Sequence, residues 1–91
     1  MAKLIKVDIV SATSAVWSGE AVQVSARTQI GEIGILAGHQ PVLATLAHGT
    51  VRVTTEAGER IVVDAEEGFI SFDHDVLTIV APDAAISEGA R

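Results

Sequence analysis

"GTVRVTTEAGERIVVDAEEGFISFDHDVLTIVA", residues 49–81, is the stretch that decides the fold. Val51 and Val53 alternate with Arg52 and Thr54, and Ile61, Val63 and Ala65 alternate with Arg60, Val62 and Asp64. A period of two puts successive side chains on opposite faces, which is the pattern of a half-buried strand. Ala57-Gly58 lies between those two runs, Glu67-Gly68 follows them, and Asp73-His74-Asp75 separates "GFISF" from "VLTIVA". Turn residues at such short intervals predict hairpins stacked into a sandwich or barrel.

The same period extends towards the N-terminus. Ile5, Val7 and Ile9 share a face opposite Lys6 and Asp8, and Val22, Val24 and Ala26 alternate with Gln23, Ser25 and Arg27. Ser18-Gly19 reads as a further turn between strands. "PVLATLAHG" (residues 41–49) suits either a buried strand or a short helical turn, and strand is the favoured reading. The expectation is an all-β protein, a small antiparallel sandwich or flattened barrel of about ten short strands. Residues 1–86 form the domain, and residues 87–91 form a disordered tail in which the pattern is lost.

The chain has 91 residues and 48% hydrophobic content, rich in Val, Ile and Ala with three aromatics, Trp17, Phe69 and Phe72. Single domains commonly run from about 50 to 200 residues, so one aliphatic core is expected. Cysteine is absent, which excludes thiolate chemistry and a disulfide framework. Lys3, Lys6 and Asp8 interrupt the opening apolar run, so neither a signal peptide nor direct membrane insertion is expected. A formal charge of −6 with scattered basic residues argues against nucleic acid as a partner.

Two strands carry more apolar surface than a lone sandwich requires. Val76, Leu77, Ile79 and Val80 place aliphatic side chains on both faces, and so do Val42, Leu43 and Leu46. Either both faces are buried inside the domain, or another protein covers one of them.

"GEIGILAGHQP", residues 31–41, is the candidate functional stretch. Its glycines, Gly31, Gly34 and Gly38, do not match a dinucleotide fingerprint, and no Lys or Arg lies between Arg27 and Arg52 to serve a phosphate. No metal site is expected. His39, His48 and His74 lack a spacing that would aim two imidazoles together, and Asp73, His74 and Asp75 fall in a turn that suits them for backbone reasons. There is no nucleophile elbow, and carboxylate pairs such as Glu66-Glu67 read as a solvated face. No catalytic residue and no cofactor is expected. Trp17 reads as a core residue ahead of a contact residue.

Three stretches in register carry a resemblance: "VDIVSATSAVWSGEA" (7–21), "GEIGILAGHQPVLATL" (31–46), and "GTVRV" (49–53) running to "EEGFISF" and "VLTIVA". Together they resemble the N-terminal β-sandwich domain of the epsilon subunit of the F-type ATP synthase, across roughly residues 3–86. "VWSGEA" and the overall acidity are similar to actinobacterial versions. Position 37 is Ala where the family usually has Pro.

The resemblance implies a non-catalytic rotor subunit in the central stalk. It would link the gamma subunit to the c ring and support coupling of proton transport to ATP synthesis, at the cytoplasmic face of a bacterial plasma membrane. It implies a c-ring contact loop of Gly31, Glu32, Ile33 and Gly34, with Glu32 as the charged contact. His39, Gln40, Val42, Val76 and Val80 are the implied gamma contacts. The family usually continues into a C-terminal helical hairpin, which this chain, ending at Arg91, does not contain, so no ATP site or hairpin-based inhibition is expected. The rival readings are a free-standing β-sandwich module binding a sugar or peptide through Trp17 and the 31–41 loop, and a small hydrolase using Asp73, His74 and Asp75.

Overall fold

The alternating runs become strands. A computed structural model describes residues 3–47, 49–65, 67–82 and 85–86. In chain order they form β1 (Ile5–Val10), β2 (Ala15–Ala21), β3 (Gln23–Thr28), β4 (Gly31–Leu36) and β5 (Val42–Thr45). Then come β6 (Gly49–Thr54), β7 (Arg60–Ala65), β8 (Phe69–Asp73), β9 (Val76–Val80) and β10 (Ala85–Ile86). Two five-stranded sheets result, one ordered β2-β1-β9-β8-β5 and the other β10-β7-β6-β3-β4. We call them the first and second sheet. The tail at 87–91 lies outside the described residues.

The core is the sum of the inward halves of these alternations. Ile5, Val7 and Ile9 of β1, Val24 and Ala26 of β3, Val51 and Val53 of β6, and Leu77 and Ile79 of β9 are all buried. Phe72 and Ile70 of β8 complete the inward face of the first sheet. Burying such side chains contributes about 1.5–3 kcal/mol each before the entropy of ordering the chain is counted. The close packing makes the domain stiff. "PVLATLAHG" is strand where it is regular: β5 pairs with β8, and Leu46 bridges to Thr28.

Two expectations need correction. The sandwich is not wholly antiparallel, because β1 runs parallel to β9 while antiparallel to β2. Most of the chain lies between β1 and β9, so no tight hairpin forces the antiparallel direction on them. Ser18-Gly19 is not a turn but the middle of β2. The Trp17 ring lies over Gly19, where an added Cβ would come within 2.9 Å of the indole. Gly19 is there to accept that ring. Trp17 is thereby half-buried against the core rather than standing as an exposed platform.

Candidate functional site

Residues 31–36 are not a loop. They form β4, the edge strand of the second sheet, paired with β3 from Thr28↔Gly31 to Gln23↔Leu36. Gly31 makes the hairpin possible, since its φ of 126° lies where side chains are rarely accommodated. The Thr28 hydroxyl donates to the Gly31 carbonyl at 2.8 Å and accepts the Ile30 amide at 3.3 Å, which locks the turn. Ile33 and Ile35 then alternate inward against the core, while Glu32, Gly34 and Leu36 face outward. The tip of the hairpin is Ile30, 89% exposed, and not Glu32.

Glu32 is held by a specific partner. Its carboxylate lies 3.0 Å from the Arg52 guanidinium on β6, and the Arg52 Nε donates to the Ser25 hydroxyl on β3 at 3.0 Å. Three strands of the second sheet are thus tied across their outer face. Both charged side chains remain partly in water, so the pair contributes at most about 1 kcal/mol to stability. Its effect is to orient Glu32.

The crossover from β4 to β5 carries His39 and Gln40, both exposed. The His39 amide donates to the Leu36 carbonyl at 3.1 Å, and its Nδ1 lies 2.7 Å from the Gln40 carbonyl. The imidazole meets the ring of Phe72 edge-on, with centroids 6.1 Å apart and planes at 82°. Val42 follows, half-buried, with its side chain packed on the core at this end of the sandwich.

Val76 and Val80 lie elsewhere, on the outer face of the first sheet. Leu77 and Ile79 between them point into the core. Of the two readings of β9, full enclosure within the domain is therefore excluded. Cross-strand pairing puts Phe69 opposite Val80 and Val80 beside Val10, while Leu43 pairs with Ser71 in the next row. Leu43 is 78% exposed, Phe69 44% and Val76 42%. Leu43 belongs to the two-sided apolar run of the sequence, whereas Phe69 is singled out there only as an aromatic. The outward phase of "GFISF" and "VLAT" holds the signal for both.

Asp73, His74 and Asp75 do not converge. His74 Nδ1 lies 2.9 Å from the Asp73 carboxylate in open solvent, whereas Asp75 turns away towards Gly38 and Lys3. His48 lies outside the described residues.

The sequence pattern of the ATP synthase delta/epsilon chain β-sandwich domain matches residues 4–87. The chain belongs to that family. Among its epsilon-chain relatives, that of Micrococcus luteus is 49% identical over 86 residues, covering 94% of each chain. The epsilon chain of Streptomyces griseus is 42% identical and covers 97% of this chain and 71% of its own length. That of Rhodococcus opacus is 45% identical over 90% of this chain. The fold is also that of a chain in the Euglena gracilis mitochondrial ATP synthase, an assembly of OSCP, F1 and c-ring, with a TM-score of 0.86 and 25% identity. This chain spans about half of that one, 53%. A chain from the Tetrahymena thermophila central stalk and c-ring matches in fold alone, at a TM-score of 0.70 and 14% identity. As an epsilon-type chain, the protein is a non-catalytic stalk subunit of a proton-transporting ATP synthase, peripheral to the membrane that holds the complex.

Proposed function

We propose that this chain joins the gamma subunit to the c ring at the cytoplasmic face of a bacterial plasma membrane, and so transmits torque between them. The observation that carries the reading is the opposed placement of two outer faces. Leu43, Phe69, Val76 and Val80 stand among Ser71, Thr78 and Asp73 on the outer face of the first sheet, and Glu32, fixed by Arg52, stands with the exposed Leu36 on the outer face of the second. In a sandwich these faces point in opposite directions, so one rigid body can hold two partners at once.

Gamma takes this face of the first sheet together with His39 and Gln40 of the β4–β5 crossover. Removing its apolar side chains from water gives a firm, non-directional attachment. The c ring takes the β3–β4 hairpin, with Ile30 at its tip, the Gly31 to Gly34 backbone at the edge, and Glu32 as an oriented acid for a basic loop group. Stiffness between the two contacts is what rotation requires, and the aliphatic core supplies it.

The experiment is to mix the purified chain with its cognate gamma subunit and resolve the mixture by size, then repeat with the gamma–c-ring assembly. A stable complex with gamma, extended by the ring, is the expected result. A chain that elutes alone in both mixtures would contradict the proposal.

A further inference from the structure

The turn between β8 and β9 has an odd composition. Its two central residues, His74 and Asp75, have φ of 49° and 61°, between the paired Asp73 and Val76. A two-residue hairpin turn with both central residues left-handed ordinarily takes Asn-Gly or Asp-Gly. Glycine at position 75 would relieve the backbone there, yet an aspartate occupies it.

What the aspartate does lies across the molecule. Its Oδ1 accepts the Gly38 amide at 2.7 Å, a short charge-assisted bond. Its Oδ2 is 4.0 Å from the Lys3 ammonium, and its backbone carbonyl accepts the Lys6 amide at 2.9 Å. Gly38 belongs to the crossover that leaves the second sheet after β4 and enters the first at β5. The other hydrogen bonds described for that crossover are local, His39 to Leu36 and His39 to Gln40. Among the described residues, the Asp75 carboxylate gives this segment its one hydrogen bond distant in sequence.

We infer that Asp75 is a positioning residue: by holding Gly38 it sets His39, against Phe72, and the adjacent Gln40 in the place from which they meet gamma. The inference rests on the gamma contact proposed above. It separates the turn's backbone strain from its side chain's task, and two substitutions divide them. Asp75→Gly removes the acceptor while suiting the left-handed backbone. Asp75→Asn keeps an oxygen for the Gly38 amide and tolerates the same backbone.

The test measures three things on wild type and both variants: thermal midpoint, exchange of the Gly38 amide, and affinity for purified gamma. Asp75→Gly is expected to melt at or above the wild-type temperature, to lose Gly38 protection, and to bind gamma on the order of tenfold more weakly. Asp75→Asn is expected to keep Gly38 protection and to restore most of the affinity. A merely structural role would couple the loss of binding to a loss of stability, which these outcomes separate. Wild-type affinity in Asp75→Gly, or a Gly38 amide that exchanges freely in wild type, overturns the inference. If wild type itself fails to bind gamma, the partner reading falls and this inference with it, even where Gly38 is protected.

Discussion

The Glu32 carboxylate and the Arg52 guanidinium meet at 3.0 Å across the outer face of the second sheet, with Arg52 also bonded to Ser25. Because the pair is half in water, Glu32→Gln is expected to change stability by less than about 1 kcal/mol, read as a small shift in urea midpoint. Glu32→Arg places a third cation beside Arg52 and the cross-strand neighbour Arg27. It is expected to leave the domain folded but to weaken coupling of ATP hydrolysis to proton pumping in the assembled enzyme. Unchanged pumping would remove Glu32 from the ring contact.

The outer face of the first sheet gives a second prediction. Leu43 is 78% exposed, so Leu43→Asp is expected to move stability by no more than about 0.5 kcal/mol. The same charge in an interface with gamma should weaken binding by roughly tenfold or more, since a buried unpaired carboxylate is costly. Calorimetric titration of gamma with the variant separates the two effects.

Phe72 is the largest of the fully buried side chains and also the edge-on partner of His39. Phe72→Ala is expected to cost about 3–5 kcal/mol, a large share of a small domain's stability. Denaturant unfolding followed through the Trp17 fluorescence measures it directly. A loss under about 1 kcal/mol would mean that the core does not rest on this ring as described.

Gly68 tests the link between the sheets and the β7–β8 corner. Its φ is 103°, and a Cβ built there overlaps the Val80 carbonyl and comes within 2.7 Å of the Ala81 Cα. Both neighbours are backbone and cannot rotate away. Gly68→Ala is therefore expected to cost about 2–5 kcal/mol, combining left-handed strain with overpacking. Thermal melts of the two proteins provide the comparison.

The fold was largely legible in the sequence because alternation is a local signal. Val51/Val53, Ile61/Val63 and Leu77/Ile79 announce their strands and their inward faces without help from the rest of the chain. Two errors came from interactions that alternation does not report. Ser18-Gly19 looks like a turn until the Trp17 ring is seen lying over Gly19. The parallel pairing of β1 with β9 depends on two segments far apart in the chain, which no short motif encodes. For the site, the glycine-rich 31–41 stretch reads as one segment in the sequence, but its residues split between an edge strand and a crossover. The Glu32–Arg52 and Asp75–Gly38 contacts join residues 20 and 37 positions apart, and only the folded sheets bring them together. Phe69 passed unnoticed because a single exposed hydrophobe is ordinary, and its outward neighbours are known only once strands are laid side by side.

The central claim is that this chain couples the two ends of a rotor, and proton pumping tests it most directly. ATP synthase depleted of its epsilon chain is reconstituted into vesicles with and without this protein, using subunits of the same organism, and ATP-driven acidification is followed against the rate of hydrolysis. The account predicts that adding the chain raises the protons moved per ATP hydrolysed, and that Leu43→Asp fails to do so. An identical ratio with and without the chain would contradict it.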